Sequence, residues 1–208
     1  RNQLLKEGRL AGRKMTATAL FNDLKDFSGI TERTDPEILM SWLNEYMEAM
    51  SQLVLAHDGV VDKFIGDSIM AVFGVPIART TQAEVIEDAQ RAVTCAVKMA
   101  ETLTALNQKW QGQGRPTTSM RVGISTGMVV TGSLGGEQRL DYTTIGDSVN
   151  VAARLEGYDK TLEGGVCRIL ISEDTYALIQ DQFATRFIDT VQLRGREQPT
   201  KIYQVLTE

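Results

Sequence analysis

Two apolar runs, Val60–Ile65 and Ser68–Phe73, are interrupted only by Gly66 and Asp67. A two-residue loop with glycine first suits a type II′ turn, which folds the flanking runs into an antiparallel hairpin and leaves Asp67 at its tip. A second acidic turn, Phe21-Asn22-Asp23-Leu24, closes the run from Thr16 to Phe21, which is apolar and β-branched enough for a buried strand. Each turn sets one carboxylate at the rim of a core strand. A hard oxygen ligand on a stiff support is what Mg²⁺-dependent phosphate chemistry requires.

Helices fill the intervals. Asp35-Pro36 is a cap and first-turn pair, and Ile38, Leu39, Trp42, Leu43, Tyr46, Met47, Met50, Leu53 and Val54 recur every three or four residues up to Gly59. A second helix is expected from Ala83 to Leu106, with Ile86, Ala89, Val93, Val97, Ala100 and Leu103 as its stripe and polar Gln111 to Pro116 closing it. Met120–Ser125, Met128–Gly132 and Leu140–Ile145 read as three short strands punctuated by glycines. Asp147 or Ser148 caps a helix carrying Val149, Ala152, Ala153 and Leu155. Arg168–Ile171 then reads as a strand, Glu173–Gln180 as a short helix, and Phe187–Leu193 with Lys201–Leu206 as a closing antiparallel pair. Strands alternate with helices while several neighbours are hairpins, which predicts an α/β (α+β) fold with a mixed, mainly antiparallel sheet and helices on one face.

Residues 1–14 are polar and basic without a strong period and read as a linker, leaving 15–208 as one domain. A chain of 208 residues with 42% hydrophobic content supports one core of that size. The start at Arg1 without methionine suggests a fragment of something longer. With 22 Lys and Arg against 27 Asp and Glu, the net charge of -5 disfavours non-specific binding to nucleic acid or anionic membranes. No run approaches the ~20 apolar residues that cross a bilayer, and no signal-like segment opens the chain, so a cytoplasmic location is expected.

Cys95 and Cys167 sit inside apolar patterns and read as buried free thiols. His57, at a helix end, reads as a dipole partner. Met40, Met47 and Met50 read as core filling or an interface. Asp26 and Asp62 read as solvated or structural, with a supporting role at the metal turn left open for Asp26.

Asp67 can converge with Asp23 on shared cations, and two metals bridged by two carboxylates follow the logic of phosphoryl and nucleotidyl transfer. The turn Leu24-Lys25-Asp26-Phe27-Ser28-Gly29 can face an anion with its amides if a helix begins near Ser28; otherwise it is an ordinary strand-to-helix connection. Asn150 and Arg154 are four residues apart and share a helix face, either a phosphate-binding pair or a solvated polar face.

FNDLKDFS around Asp23, DKFIGDSIMAVFG with Lys63 and Asp67, RVGISTGMVVTGSLG, and DYTTIGDSVNVAARLEG from Asp141 to Gly157 occur in this order from about Met15 onward. Together they resemble the catalytic domain of class III nucleotide cyclases, a ferredoxin-like fold. The resemblance implies that Asp23 and Asp67 bind two Mg²⁺ or Mn²⁺ ions, with the Leu24 carbonyl as an extra ligand. It puts the backbone amides of Phe27 and Ser28 on the β- and γ-phosphates, Asn150 on the ribose and Arg154 on the α-phosphate. Arg196 falls near a triphosphate-binding cation of the family, with Arg194 as the alternative.

Lys63 and Thr143 match the base-reading positions. Adenine offers an acceptor at N1 and a donor at N6, and guanine the reverse. Lys63 only donates, which complements adenine. The Thr143 hydroxyl can accept from N6 but can also donate, so discrimination is expected to be looser than with aspartate. The Lys63 and Thr143 combination resembles the cyanobacterial and soluble, bicarbonate-responsive branch, which makes bicarbonate activation an expectation to test.

The resemblance thus implies an adenylate cyclase that converts ATP to 3′,5′-cyclic AMP and pyrophosphate. It also implies a head-to-tail homodimer in which one subunit supplies Asp23 and Asp67 and the other Lys63, Thr143, Asn150 and Arg154. Alternatives are a guanylate cyclase, a catalytically idle dimerisation or nucleotide-sensing module, and a phosphoacceptor signalling domain.

Overall fold

The computed structural model describes residues 12–136 and 138–207. In chain order the elements are β1 (Arg13–Leu24), α1 (Phe27–Arg33), α2 (Pro36–Ala56), β2 (Val60–Ile65), β3 (Ser68–Phe73), α3 (Gln82–Gly112), β4 (Met120–Gly136), β5 (Arg139–Ile145), α4 (Asp147–Glu156), β6 (Cys167–Ser172), α5 (Glu173–Ile179), β7 (Thr185–Val191) and β8 (Thr200–Val205). One sheet runs β2-β3-β1-β4-β6-β8-β7, with β5 paired to β4. Among the described residues only β4 and β6 pair in parallel, so the sheet is mixed and mainly antiparallel, as the pattern predicts. Most of the proposed linker lies outside the described residues, but Arg13 and Lys14 already belong to β1.

The alternation along β1 explains how the layers stack. Leu20 and Leu24 point into a core with Trp42, Tyr46, Met50 and Val54 of α2 and Ala89, Val93, Met99 and Leu103 of α3. Met15, Ala17 and Ala19 point the other way, where they meet Val72 of β3 and Val149 and Ala152 of α4. The expectation of helices on one face is therefore corrected: α4 covers the opposite face, because both residue sets of β1 are apolar and each needs a cover.

Of the three short strands expected after α3, Leu140–Ile145 is present as β5, but the first two are corrected. Met120–Gly136 is one strand that pairs β1 from Leu24↔Met120 to Arg13↔Thr131, and its end continues as a ribbon with β5. Its glycines do not break it, and one of them is a clearance. A Cβ at Gly123 would collide with the backbone of Ala152 and Glu156, so glycine here lets α4 lie directly on the sheet.

Helix α3 extends past the expected Leu106 to Gly112 because Trp110 anchors its last turns, its ring 5.1 Å from that of Trp42. Cys95 and Cys167 are buried free thiols, and desolvation pushes the Cys95 thiol up to about 12. His57 caps α2 with Nδ1 2.7 Å from the Leu53 carbonyl oxygen. Met50 is fully buried while Met40 is exposed. Among the described residues no helix is long and apolar enough to cross a membrane.

Candidate active site

The pairing of β1 with β3 places Asn22 opposite Ile69 and so brings the two acidic turns side by side. Two bonds bracket Asp23. Before it, the fully buried Asn22 accepts the Ile69 amide on Oδ1 at 3.1 Å; after it, the Leu24 amide donates to Asp67 Oδ2 at 2.9 Å. Gly66 supplies the positive φ of 61° that the turn needs. Burial pushes the Asp67 carboxyl above its ordinary value; the Leu24 amide opposes the shift and the charge of Asp23 adds to it.

Asp23 Oδ1 is buried and has no hydrogen-bond partner. An acceptor-only oxygen without a donor, beside a second desolvated carboxylate, lacks what a divalent cation provides, and an all-oxygen donor set suits Mg²⁺ or Mn²⁺. Among the described residues no group of three or more His, Cys, Asp or Glu is arranged to hold a metal. An ion bound to the two carboxylates would therefore take its remaining ligands from backbone carbonyls, substrate oxygens or water.

Glu156, at the end of α4, escaped the sequence reading. Burial and a hydrogen bond to Asp23 push its carboxyl well above the usual range, against the opposing charges of Arg121 and Arg168. In its protonated form it donates to Asp23. The indirect signal was Gly123, which lets α4 descend far enough for Glu156 to reach the end of β1.

Lys63 on β2 and Thr143 on β5 meet, with Lys63 Nζ donating to Thr143 Oγ1 at 2.7 Å. Asp62 is not solvated. Its side chain is 2% exposed and lies 3.4 Å from Lys63 Nζ, and its Oδ2 accepts the Thr143 hydroxyl at 3.3 Å. The cause is a bulge in β2. Val61 pairs with Ala71 and Lys63 with Met70, leaving Asp62 without a partner in the register. Neighbouring strand residues ordinarily point to opposite faces, and the bulge turns two consecutive side chains onto one target.

On α4, Asn150 is exposed and Arg154 half-buried, and Arg154 donates to the Arg194 carbonyl. Arg196 grips Asp147, with Nε 3.1 Å from Oδ1, and also reaches Thr200 Oγ1 at 3.0 Å and Asp174 Oδ2 at 3.5 Å. To hold a triphosphate it would have to exchange these partners. The Arg194 side chain is exposed and has no hydrogen-bond or ion-pair partner among the described residues.

Helix α1 opens at Phe27, after Asp26 in the left-handed conformation, so the Phe27 and Ser28 amides belong to the first-turn donors that a helix leaves unused. The Asp26 carboxylate pairs with Arg33 at 3.2 Å on the exposed side of α1. Asp23 with Asp67, and Lys63 with Thr143, are thus brought together. Among the described residues no hydrogen bond or ion pair joins Asn150 or Arg154 to either set.

The model of the adenylate and guanylate cyclase catalytic domain matches residues 11–207. The chain is 38% identical over 205 residues to adenylate cyclase 1 of Rhizobium meliloti, covering 97% of this chain and 30% of that protein. It is 33% identical over 207 residues to the adenylate cyclase of Anabaena cylindrica, covering 95% of this chain and 38% of that one. The chain therefore spans well under half the length of these curated relatives. The adenylyl cyclase CyaB from P. aeruginosa superposes with a TM-score of 0.85 at 36% identity, over 96% of this chain and 97% of that one. The guanylyl cyclase Cya2 superposes with a TM-score of 0.80 at 34% identity, over 94% of each chain.

Proposed function

The chain belongs to the adenylate and guanylate cyclase catalytic-domain family, and from that premise we propose that it converts ATP to 3′,5′-cyclic AMP and pyrophosphate. The β2–β3 hairpin carries the reading: its tip sets Asp67 beside the Asp23 turn through the Leu24 amide, and its first strand presents Lys63, a donor-only side chain, to Thr143. The similar solved structures include an adenylyl and a guanylyl cyclase at nearly equal identity, so the choice of ATP rests on Lys63 and on the curated relatives, which are named adenylate cyclases.

Asp23, Asp67 and the Leu24 carbonyl would hold two Mg²⁺ or Mn²⁺ ions, which when bound supply charge neutralisation on the triphosphate and acidify the ribose 3′-hydroxyl. The residues of the chain do the rest. Lys63 donates to adenine N1 and Thr143 accepts from N6. The Phe27 and Ser28 amides, with Arg194 or Arg196, take the β- and γ-phosphates. Asn150 orients the ribose, and the Arg154 guanidinium stabilises charge gathering on the α-phosphate oxygens in the transition state. The 3′-oxygen forms a bond to the α-phosphorus as the bond from that phosphorus to the pyrophosphate oxygen breaks, and the hydroxyl proton passes to solvent. No side chain is assigned as a dedicated base.

The reading includes a head-to-tail homodimer in the cytoplasm, in which α4 of one subunit faces the Asp23 turn of the other. Exposed Phe64, Ile65, Leu134, Leu140 and Ile145 on β2, β4 and β5 support it as an apolar surface for a second copy. Bicarbonate activation belongs to the same proposal and is dismissed if activity at fixed pH does not change when bicarbonate replaces chloride. The decisive test is incubation of the protein with ATP and Mn²⁺, with GTP in parallel, and detection of the cyclic product. Cyclic AMP from the unaltered protein and its loss in Asp67→Ala are expected; a folded dimer that forms no cyclic AMP overturns the proposal.

A further inference from the structure

Asp62 has no part in the chemistry assigned so far, yet it is buried against both base-reading side chains. We propose that Asp62 is a specificity-determining positioning residue that locks the Thr143 hydroxyl as a hydrogen-bond acceptor for the adenine amino group. The inference rests on the adenylate cyclase reading and deepens it.

The reasoning is a count of protons and lone pairs. A threonine hydroxyl has one proton and two lone pairs, a lysine ammonium only donates and a carboxylate only accepts. Lys63 Nζ lies 2.7 Å from Thr143 Oγ1, so one lone pair receives a lysine proton. Asp62 Oδ2 lies 3.3 Å from the same Oγ1, so the hydroxyl proton goes to Asp62. The lone pair that remains can only accept. It suits the N6 amino group of adenine and opposes the O6 oxygen of guanine, which removes the ambivalence of a free hydroxyl.

Three further observations hold the lock in place. The Asp62 side chain is 2% exposed, which leaves water little room to replace it. Its carboxylate also accepts the Thr144 backbone amide, so it is fastened to the strand that carries Thr143. The bulge at Asp62 is what brings Asp62 and Lys63 to one hydroxyl, since regular pairing would send Asp62 to the opposite face.

The test is the ratio of kcat/KM for ATP to that for GTP, measured with Mn²⁺ on the dimeric protein and on Asp62→Ala, Asp62→Asn, Thr143→Val and the combinations of Thr143→Val with each Asp62 change. Asp62→Ala and Thr143→Val should each lower the ratio about tenfold, the worth of one lost polar match. Asp62→Asn should lower it about threefold, because one amide oxygen cannot serve Lys63, Thr143 and the Thr144 amide together. In the Thr143→Val background neither Asp62 change should lower the ratio further. A merely structural Asp62 predicts that both nucleotides lose activity in parallel at an unchanged ratio, and that result overturns the inference. If Asp62→Ala does not fold, Asp62→Asn and its combination with Thr143→Val decide the matter. An unaltered protein that makes no cyclic AMP overturns the cyclase reading and this inference with it. One that prefers ATP while the Asp62 variants keep its ratio overturns this inference alone.

Discussion

The β2–β3 hairpin carries two carboxylate clusters of opposite character only a few residues apart. At its tip, Asp67 accepts the Leu24 amide and its carboxyl is pushed up by burial and by Asp23, whose only donor from the described chain is a protonated Glu156 and whose Oδ1 has no hydrogen-bond partner. Along β2, Asp62 receives Thr143, Lys63 and the Thr144 amide. Both clusters are desolvated, so the difference lies in what completes them. A carboxylate pair that the chain leaves short of partners is arranged for something from outside, whereas a carboxylate surrounded by donors from its own chain holds other groups in place.

The largest expected effect falls on the tip. Asp67→Asn should reduce cyclic AMP formation about 1000-fold, and cyclic GMP formation alike, because a cation ligand is lost for either substrate. Melting curves should show that the cation-free variant is no less stable than the parent but gains nothing from Mn²⁺ with ATP. Retained activity would break the contrast between the two clusters.

Next comes complementation, since in the proposed dimer the tip cluster would draw on α4 of a second copy while the Asp62 cluster is complete within one chain. Mixed in equal amounts, Asp23→Ala and Arg154→Ala chains should recover about a quarter of parental activity, half of the dimers being mixed and each having one intact site of two. No recovery in a cyclic AMP assay would count against shared sites.

A smaller effect separates the clusters by their supports. Gly123→Ala should cost about 1–3 kcal/mol in denaturant unfolding because α4 must lift from β4, while the ATP to GTP ratio stays near that of the parent. A changed ratio would show that the Asp62 cluster also depends on the seat of α4.

The smallest effect is on pH. Burial raises both carboxyls, so each takes up its proton nearer neutrality than a solvated aspartate would. As pH falls, protonation of Asp67 should raise the Mn²⁺ concentration for half-activation several-fold. Protonation of Asp62, opposed by Lys63 and the Thr143 and Thr144 donors, should lower the ATP to GTP ratio. Titrations run downward from neutral pH would check both directions.

Much of this was legible in advance where local chemistry left one solution. The hairpin bounds follow from Gly66-Asp67 because a two-residue loop admits no other register, and the side-by-side placement of Asp23 with Asp67 and of Lys63 with Thr143 followed from the motifs. What escaped notice depends on departures from regular spacing. VVDKFI reads as plain alternation, and nothing in it announces that β2 slips by one residue at Asp62. Gly123 passes for an ordinary residue of the expected strand Met120–Ser125 because a clearance for a helix is invisible until the helix is placed, and Glu156 was hidden for the same reason. The second helical face was missed because the two alternating apolar sets of β1 were read as one buried run.

The slip at Asp62 has a consequence beyond the base pocket. Strand β2 is the last in the sheet, and just past the slip it shows Phe64 and Ile65, each 55% exposed, to the surroundings. An outermost strand with a regular row of free amides and carbonyls and greasy side chains invites stray chains to add on and seed aggregates. By breaking that row, the irregularity guards the rim of the sheet against unwanted strand addition while leaving its apolar side chains available for a proper mate.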